Sequence, residues 1–113
     1  MLIPAAEQPT IEAPEDDLTM STLLRAEHGA GLSLTRVRLS GAHRPLRSPR
    51  TARVYYVLEG AASFIVGDEE LVAGPGDVVL VPRGERYSLA GELTYLVLNA
   101  PAYVEGDDVY DDE

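Results

Sequence analysis

Turn residues interrupt this chain so often that a long helix has no room to form. Breaks fall at Gly29-Ala30-Gly31, Gly41, Glu59-Gly60, Gly67-Asp68, Gly74-Pro75-Gly76, Pro82-Arg83-Gly84 and Gly91. Between them lie short apolar and β-branched runs at 18–24, 32–39, 54–58, 62–66, 71–73, 78–81, 87–89 and 93–98. About eight short strands at this spacing predict an all-β sandwich or small barrel. No apolar pattern of helical period lasts three turns, so little helix is expected. Solenoid-length repeats are absent as well.

With 113 residues there is room for one domain. A chain of this size buries roughly two thirds of its unfolded surface, enough for a single core without staples. Cysteine is absent, which removes disulfides, thiolate metal sites and cysteine nucleophiles. No apolar run approaches the roughly 20 residues that span a bilayer. Met1 to Pro14 lacks the basic start and apolar stretch of a signal peptide, so a cytoplasmic location is expected.

The net charge of −10 argues against nucleic acid or an anionic membrane as a partner. Its distribution is more informative. All nine basic residues are arginine, and Arg36, Arg38, Arg44, Arg47, Arg50 and Arg53 share one stretch that contains no acid. The acids crowd the two ends, among them Glu12, Glu15, Asp16 and Asp17 in front and Glu105, Asp107, Asp108, Asp111, Asp112 and Glu113 behind. Residues 1–18, punctuated by Pro4, Pro9 and Pro14, read as an extended lead-in able to add an edge strand near Leu2 and Ile3. Residues 19–104 form the expected barrel, and residues 105–113 an acidic, mobile tail with too little apolar content to pack.

Several strands are apolar on both faces. Arg53, Tyr55 and Val57 alternate with Val54, Tyr56 and Leu58, and Leu93, Tyr95 and Val97 alternate with Thr94, Leu96 and Leu98. One face fills the barrel, and the other needs a cover from the N-terminal segment or another subunit. A two-fold homodimer is expected.

Gly41 and Gly60, followed by Gly76, Pro82 and Gly84, carry the spacing of a two-motif signature. In this the chain resembles the cupin superfamily over about Leu32 to Pro101, which implies a jelly-roll β-barrel. The family's metal ligands would fall on Arg47, Pro49, Arg53 and Tyr87, with its asparagine position at Gly91. Shifting the spacing by one residue puts Leu46 and Ser48 at the histidine pair, which is no better. Imidazole and carboxylate offer lone pairs to a cation, whereas guanidinium offers only protons and positive charge. No metal and no other cofactor are therefore expected.

Arg53 then points into the barrel with Tyr55 and Val57. A buried guanidinium needs an anionic partner. Either it clamps a ligand carboxylate or phosphate together with Arg47, or it pairs internally with Glu85 or an acid of the tail. Tyr87 projects into the same cavity, as a proton donor with an ordinary pKa of about 10, a ligand contact, or a core tyrosine bonded to backbone. Tyr55 and Tyr95 line the pocket or pack its core. His43, after Gly41 near the barrel mouth, is a candidate base near neutral pH, with a plain loop role as its alternative, and a perturbed Glu is the other candidate base. His28 reads as a turn residue.

Three functions fit. The first is metal-independent binding of a small polar or anionic metabolite by Arg53, Arg47, Tyr55, Tyr87 and Tyr95. The second is a metal-free isomerase, epimerase or cyclase using Tyr87 and His43 for proton transfer. The third is a degenerate barrel acting as a regulatory or interaction subunit. The arginine-only, Ala- and Gly-rich composition suggests a bacterial source.

Overall fold

Three long strands, bent in the middle, build most of the molecule. In the computed structural model, which describes residues 1–111, they are β3 (Ser33–Arg47), β4 (Ala52–Val66) and β7 (Tyr87–Ala100). The shorter strands are β1 (Thr10–Ala13), β2 (Leu18–Leu24), β5 (Glu69–Ala73), β6 (Val78–Val81) and β8 (Val109–Tyr110). The helical content among the described residues is three single 3-10 turns, at Ala5–Glu7, Pro14–Asp16 and Ala26–His28. No helix is long and apolar enough to cross a membrane.

All pairings are antiparallel, in the order β1-β2-β3-β7-β4-β5, with β6 also on β4 and β8 also on β3. The first half of β3 pairs the second half of β7, which in turn pairs the first half of β4 and, through it, β6. The remaining halves pair with one another and with β5 and β8. Each long strand thus serves both layers of a jelly roll.

The bends explain where the strand boundaries depart from the sequence reading. Gly41, Gly60 and Gly91 were expected to end strands, yet β3, β4 and β7 run through them. Gly41 pairs directly with Gly91, Gly91 with Ala62, and Gly60 with Leu93. A Cβ at Gly60 would lie 2.0 Å from the Glu92 carbonyl oxygen, and one at Gly91 2.4 Å from that of Ala61. Glycine here allows backbones to close on each other where the sheet folds over.

Alternation sends one set of side chains inward. Val37, Leu39, Leu46, Val57, Phe64, Leu89 and Leu93 form the core, with Tyr55, Tyr87 and Tyr95 packed among them. The opposite face carries an apolar row across four strands. Leu34 pairs with Leu98, Leu98 with Val54, and Val54 with Leu80, beside a second row of Leu96, Tyr56 and Val78. Val78 and Leu80 are each 60% exposed.

The N-terminal segment leaves Tyr56, Val78 and Leu80 of this face exposed. Its edge strand is Thr10–Ala13 on β2, rather than Leu2 and Ile3, and Leu2 is exposed. The acidic C-terminal segment, expected to be mobile from Glu105, is held against the barrel as far as Asp111. β8 pairs with Leu46 and Arg47, and Asp107, Asp108 and Asp111 each meet an arginine. The end of that expected tail, residues 112 and 113, lies outside the described residues.

Candidate functional site

A cavity of about 870 Å3 opens at one end of the barrel. Its wall is assembled from the inner faces of β3, β4 and β7, from the N-terminal segment through Ile11 to Asp16, and from the C-terminal segment. The volume is in the range of small-molecule sites.

His43 lines this cavity and is largely buried. Its Nδ1 lies 2.8 Å from the Arg44 carbonyl oxygen. A carbonyl only accepts, so this contact calls for a proton on Nδ1, and in the neutral ring the lone pair is then on Nε2. Asp16 Oδ1 is 3.8 Å from the same Nδ1, close enough to stabilise an imidazolium once a proton is taken up. The arrangement is that of a base oriented by a third group.

Asp16 owes its position to the turn Pro14–Asp16, which ends at Asp17 in the left-handed conformation with φ 56° and leads into β2. The residue is only 3% exposed. It accepts from the Arg44 backbone N–H at 3.0 Å, from Arg44 Nε at 2.9 Å and from Arg44 Nη2 at 3.2 Å. Burial alone would raise its pKa, but the Arg44 hydrogen bonds, aided by His43, outweigh that and hold the carboxyl below its ordinary value.

Arg53 and Tyr55 enter from β4 on the inward face. Arg53 Nη1 donates to the Tyr87 hydroxyl at 2.8 Å, and the Tyr87 and Tyr55 hydroxyls share a hydrogen bond of 2.6 Å. Arg53 Nη2 meets Asp108 Oδ1, which also accepts from Ser48 Oγ at 2.7 Å. Burial works against the guanidinium charge, yet the tyrosines and Asp108 keep its pKa above the usual value. Tyr87 is 1% exposed and stands behind Arg53 and Tyr55 rather than on the cavity wall. Tyr95 is on the wall, its ring 5.1 Å from that of Tyr55. Its hydroxyl makes no hydrogen bond among the described residues. Burial, first of all, raises the pKa of Tyr55, Tyr87 and Tyr95, so all three stay protonated well past neutrality.

The structure therefore brings Arg53, Tyr55, Tyr95 and His43 to one cavity, with Tyr87 just behind them. Arg47 is not among them. It lies exposed on the outward side of β3, because one residue of register reverses a strand's facing. The sequence reading passed over Asp16 and Tyr110 as site residues, whereas Asp108 is the acid of the tail offered as one internal partner of Arg53. For Tyr110 the signal was an apolar pair, Val109-Tyr110, inside an otherwise polar tail.

A metal does not fit the donor set. The positions expected for ligands hold Arg47, Pro49, Arg53 and Tyr87, and Arg53 fills its place with a guanidinium already bonded to Tyr87 and Asp108. Among the described residues no group of three His, Asp or Glu side chains could hold a metal ion.

A family model for the cupin domain matches residues 37–99, more than half of the chain. The chain belongs to the cupin family. No curated protein matches it by sequence. Among solved structures, this cupin is similar to Pac13 of Streptomyces, described as a nucleoside dehydratase, with TM-score 0.86 and 21% identity over 97% of this chain and 89% of that one. Pac13 has also been solved with uridine in variants that replace one histidine by glutamine or one of two tyrosines by phenylalanine. The polyketide cyclase RemF of Streptomyces resistomycificus matches with TM-score 0.72 and 20% identity over 95% of this chain and 88% of that one. The ectoine synthase of P. lautus gives 0.78 and 16% over 97% and 88%. At these identities the likeness establishes the fold.

Proposed function

We propose that this cupin is a metal-independent enzyme that moves protons on an uncharged, polar small molecule of about nucleoside size. The observation that carries the reading is the His43 geometry: Nδ1–H on the Arg44 carbonyl, Asp16 at 3.8 Å, and the ring on the cavity wall. Nε2 takes a proton from the substrate, Asp16 stabilises the resulting imidazolium, and a tyrosine hydroxyl donates to a substrate oxygen. Tyr95, with no hydrogen-bond partner among the described residues, is the donor, and the Tyr55–Tyr87–Arg53 chain braces the wall beside it. Elimination, epimerisation, isomerisation and cyclisation all consist of such transfers. The descriptions of Pac13 as a nucleoside dehydratase and of RemF as a cyclase agree with this class.

Charge on the wall favours a neutral guest over the anion suggested by the arginines in the sequence. Arg53 is engaged by Asp108 and Arg25 by Glu27, so neither cation is free. Glu12, Glu15 and Glu105 on the same wall have no cationic partner among the described residues. A phosphate entering there would meet uncompensated carboxylates.

Calorimetric titration with uridine and with uridine 5′-phosphate tests the ligand class. Binding of the nucleoside and weaker binding of the phosphate are expected, and the reverse order would overturn it. For the chemistry, neutral nucleosides and carbonyl-bearing sugars are incubated with the protein in D2O. Deuterium incorporation that is lost in His43→Gln, with binding retained, is the expected result.

If the wild type binds ligand but shows no deuterium incorporation or turnover, and His43→Gln binds equally well, the barrel is a binding module. A pre-formed cavity of this size alone would support that second reading.

A further inference from the structure

The C-terminal segment contributes Tyr103, Glu105, Asp108 and Tyr110 to the cavity wall. Tyr110 reaches the candidate base itself. Its ring stacks on the His43 imidazole, with centroids 6.2 Å apart and planes 17° from parallel. The Arg44 guanidinium carbon sits 4.0 Å from the Tyr110 ring centroid. Arg44 also binds Asp16, so one arginine ties the strap's aromatic ring to the acid beside the base.

Apolar packing of this segment rests on Ala102 and on the half-buried Tyr110 ring against the core. From 101 to 111 only Ala102 is buried, and the strand pairing is limited to Val109 and Tyr110. Three arginine–aspartate pairs hold it as well. Asp107 accepts from Arg50 Nε at 2.8 Å and Nη2 at 2.6 Å, Asp111 meets Arg86, and Asp108 meets Arg53. The Arg50–Asp107 and Arg86–Asp111 pairs are partly exposed and open to screening by salt. A segment with few buried apolar contacts opens more readily than the barrel that carries it.

We propose that Tyr110 is a positioning residue for His43, and that the segment 101–111 is a strap whose docking through arginine–aspartate pairs completes the site. Docked, it walls the cavity and fixes the imidazole between Tyr110 and the Arg44 carbonyl. Undocked, it opens the cavity and leaves His43 without its stacking partner. A ligand that enters during opening is enclosed by the same movement that orients the base.

The inference rests on the reading of this cavity as the functional site, but its test needs no ligand. Amide hydrogen exchange and the His43 ring-proton resonance are measured at about pH 8, above the ordinary histidine range, on the wild type, Arg50→Gln/Asp107→Asn, Tyr110→Ala and Tyr110→Phe. His28, held by the Arg25 backbone N–H in a separate turn, is the internal reference. In the double variant, exchange at residues 103–110 is expected to rise about tenfold, while β3, β4 and β7 stay protected. The His43 resonance moves in the double variant and in Tyr110→Ala, and Tyr110→Phe restores it. Strap and barrel amides rising together would overturn the strap. Faster strap exchange with an unmoved His43 resonance would overturn the positioning role. Failure of uridine to bind would strike the proposed function and leave both readouts standing.

Discussion

Asp108 closes an ion pair with Arg53 across 55 residues of sequence, and both partners are largely buried. The pair fastens the acidic end of the chain to the last arginine of the arginine-rich stretch. It also accounts for a guanidinium at a position where the family holds a carboxylate. Breaking one half of a buried pair leaves the other half uncompensated. Arg53→Met is expected to lower the unfolding free energy by about 3 kcal/mol in urea titrations. Adding Asp108→Asn should recover part of that loss, and an unaltered stability in the single variant would contradict the internal pairing.

Acid should destabilise the protein through the carboxylates that arginine holds ionised. Asp16 has a folded-state pKa below its unfolded value. Its stabilisation is thus fully present above about pH 4 and is lost as pH falls through the lowered folded value. Asp107 is shifted the same way, by the Arg50 hydrogen bonds before all else. Thermal unfolding from pH 6 down to 2 should show a falling midpoint, with a shallower fall in Asp16→Asn.

At the alkaline end the sign reverses. Tyr55, Tyr87 and Tyr95 have folded pKa values raised above 10, mainly by burial. The unfolded chain therefore loses its phenolic protons first, and stability falls as pH rises above about 10. A spectrophotometric titration should show a fraction of the tyrosines ionising only together with unfolding. Smooth ionisation of all six tyrosines without loss of β-structure would refute the buried network.

The paired rows of Leu34, Leu98, Val54 and Leu80 and of Leu96, Tyr56 and Val78 form an apolar outer face. A second copy meeting it about a two-fold axis is the expected cover. Size-exclusion chromatography with light scattering should give a dimer for the wild type. Leu80→Glu should give a folded monomer with an unchanged circular-dichroism spectrum. A monomeric wild type at micromolar concentration would refute this.

Much of the barrel was legible because its code is local. Alternation of period two put Arg53, Tyr55 and Val57 inward, and turn residues counted the strands. Glycine was ambiguous. At Gly41, Gly60 and Gly91 it serves the close approach of bent strands rather than a chain reversal, and the sequence reads alike in both cases. The site was legible in its strand members, His43 on β3, Arg53 and Tyr55 on β4 and Tyr87 and Tyr95 on β7. Asp16, Asp108 and Tyr110 enter from segments with no periodic pattern, and their places are set by partners 28 to 64 residues away, Arg44, Arg53 and Leu46. Arg47 was misplaced because motif spacing gives a position along a strand, whereas facing depends on register.

The strand order also bears on how the molecule forms. β3 pairs only with segments distant in sequence on its β7 side, as the contact between Gly41 and Gly91 shows. Such a topology closes large loops before any contact rewards them, which places folding toward the slow, millisecond-to-second range of β-rich domains. During synthesis β3 leaves the ribosome about fifty residues ahead of its β7 partner, with Val37, Leu39 and Leu46 exposed in the meantime. Rapid overproduction should therefore lose protein to aggregation at that stage, and slower synthesis at lower temperature should recover it.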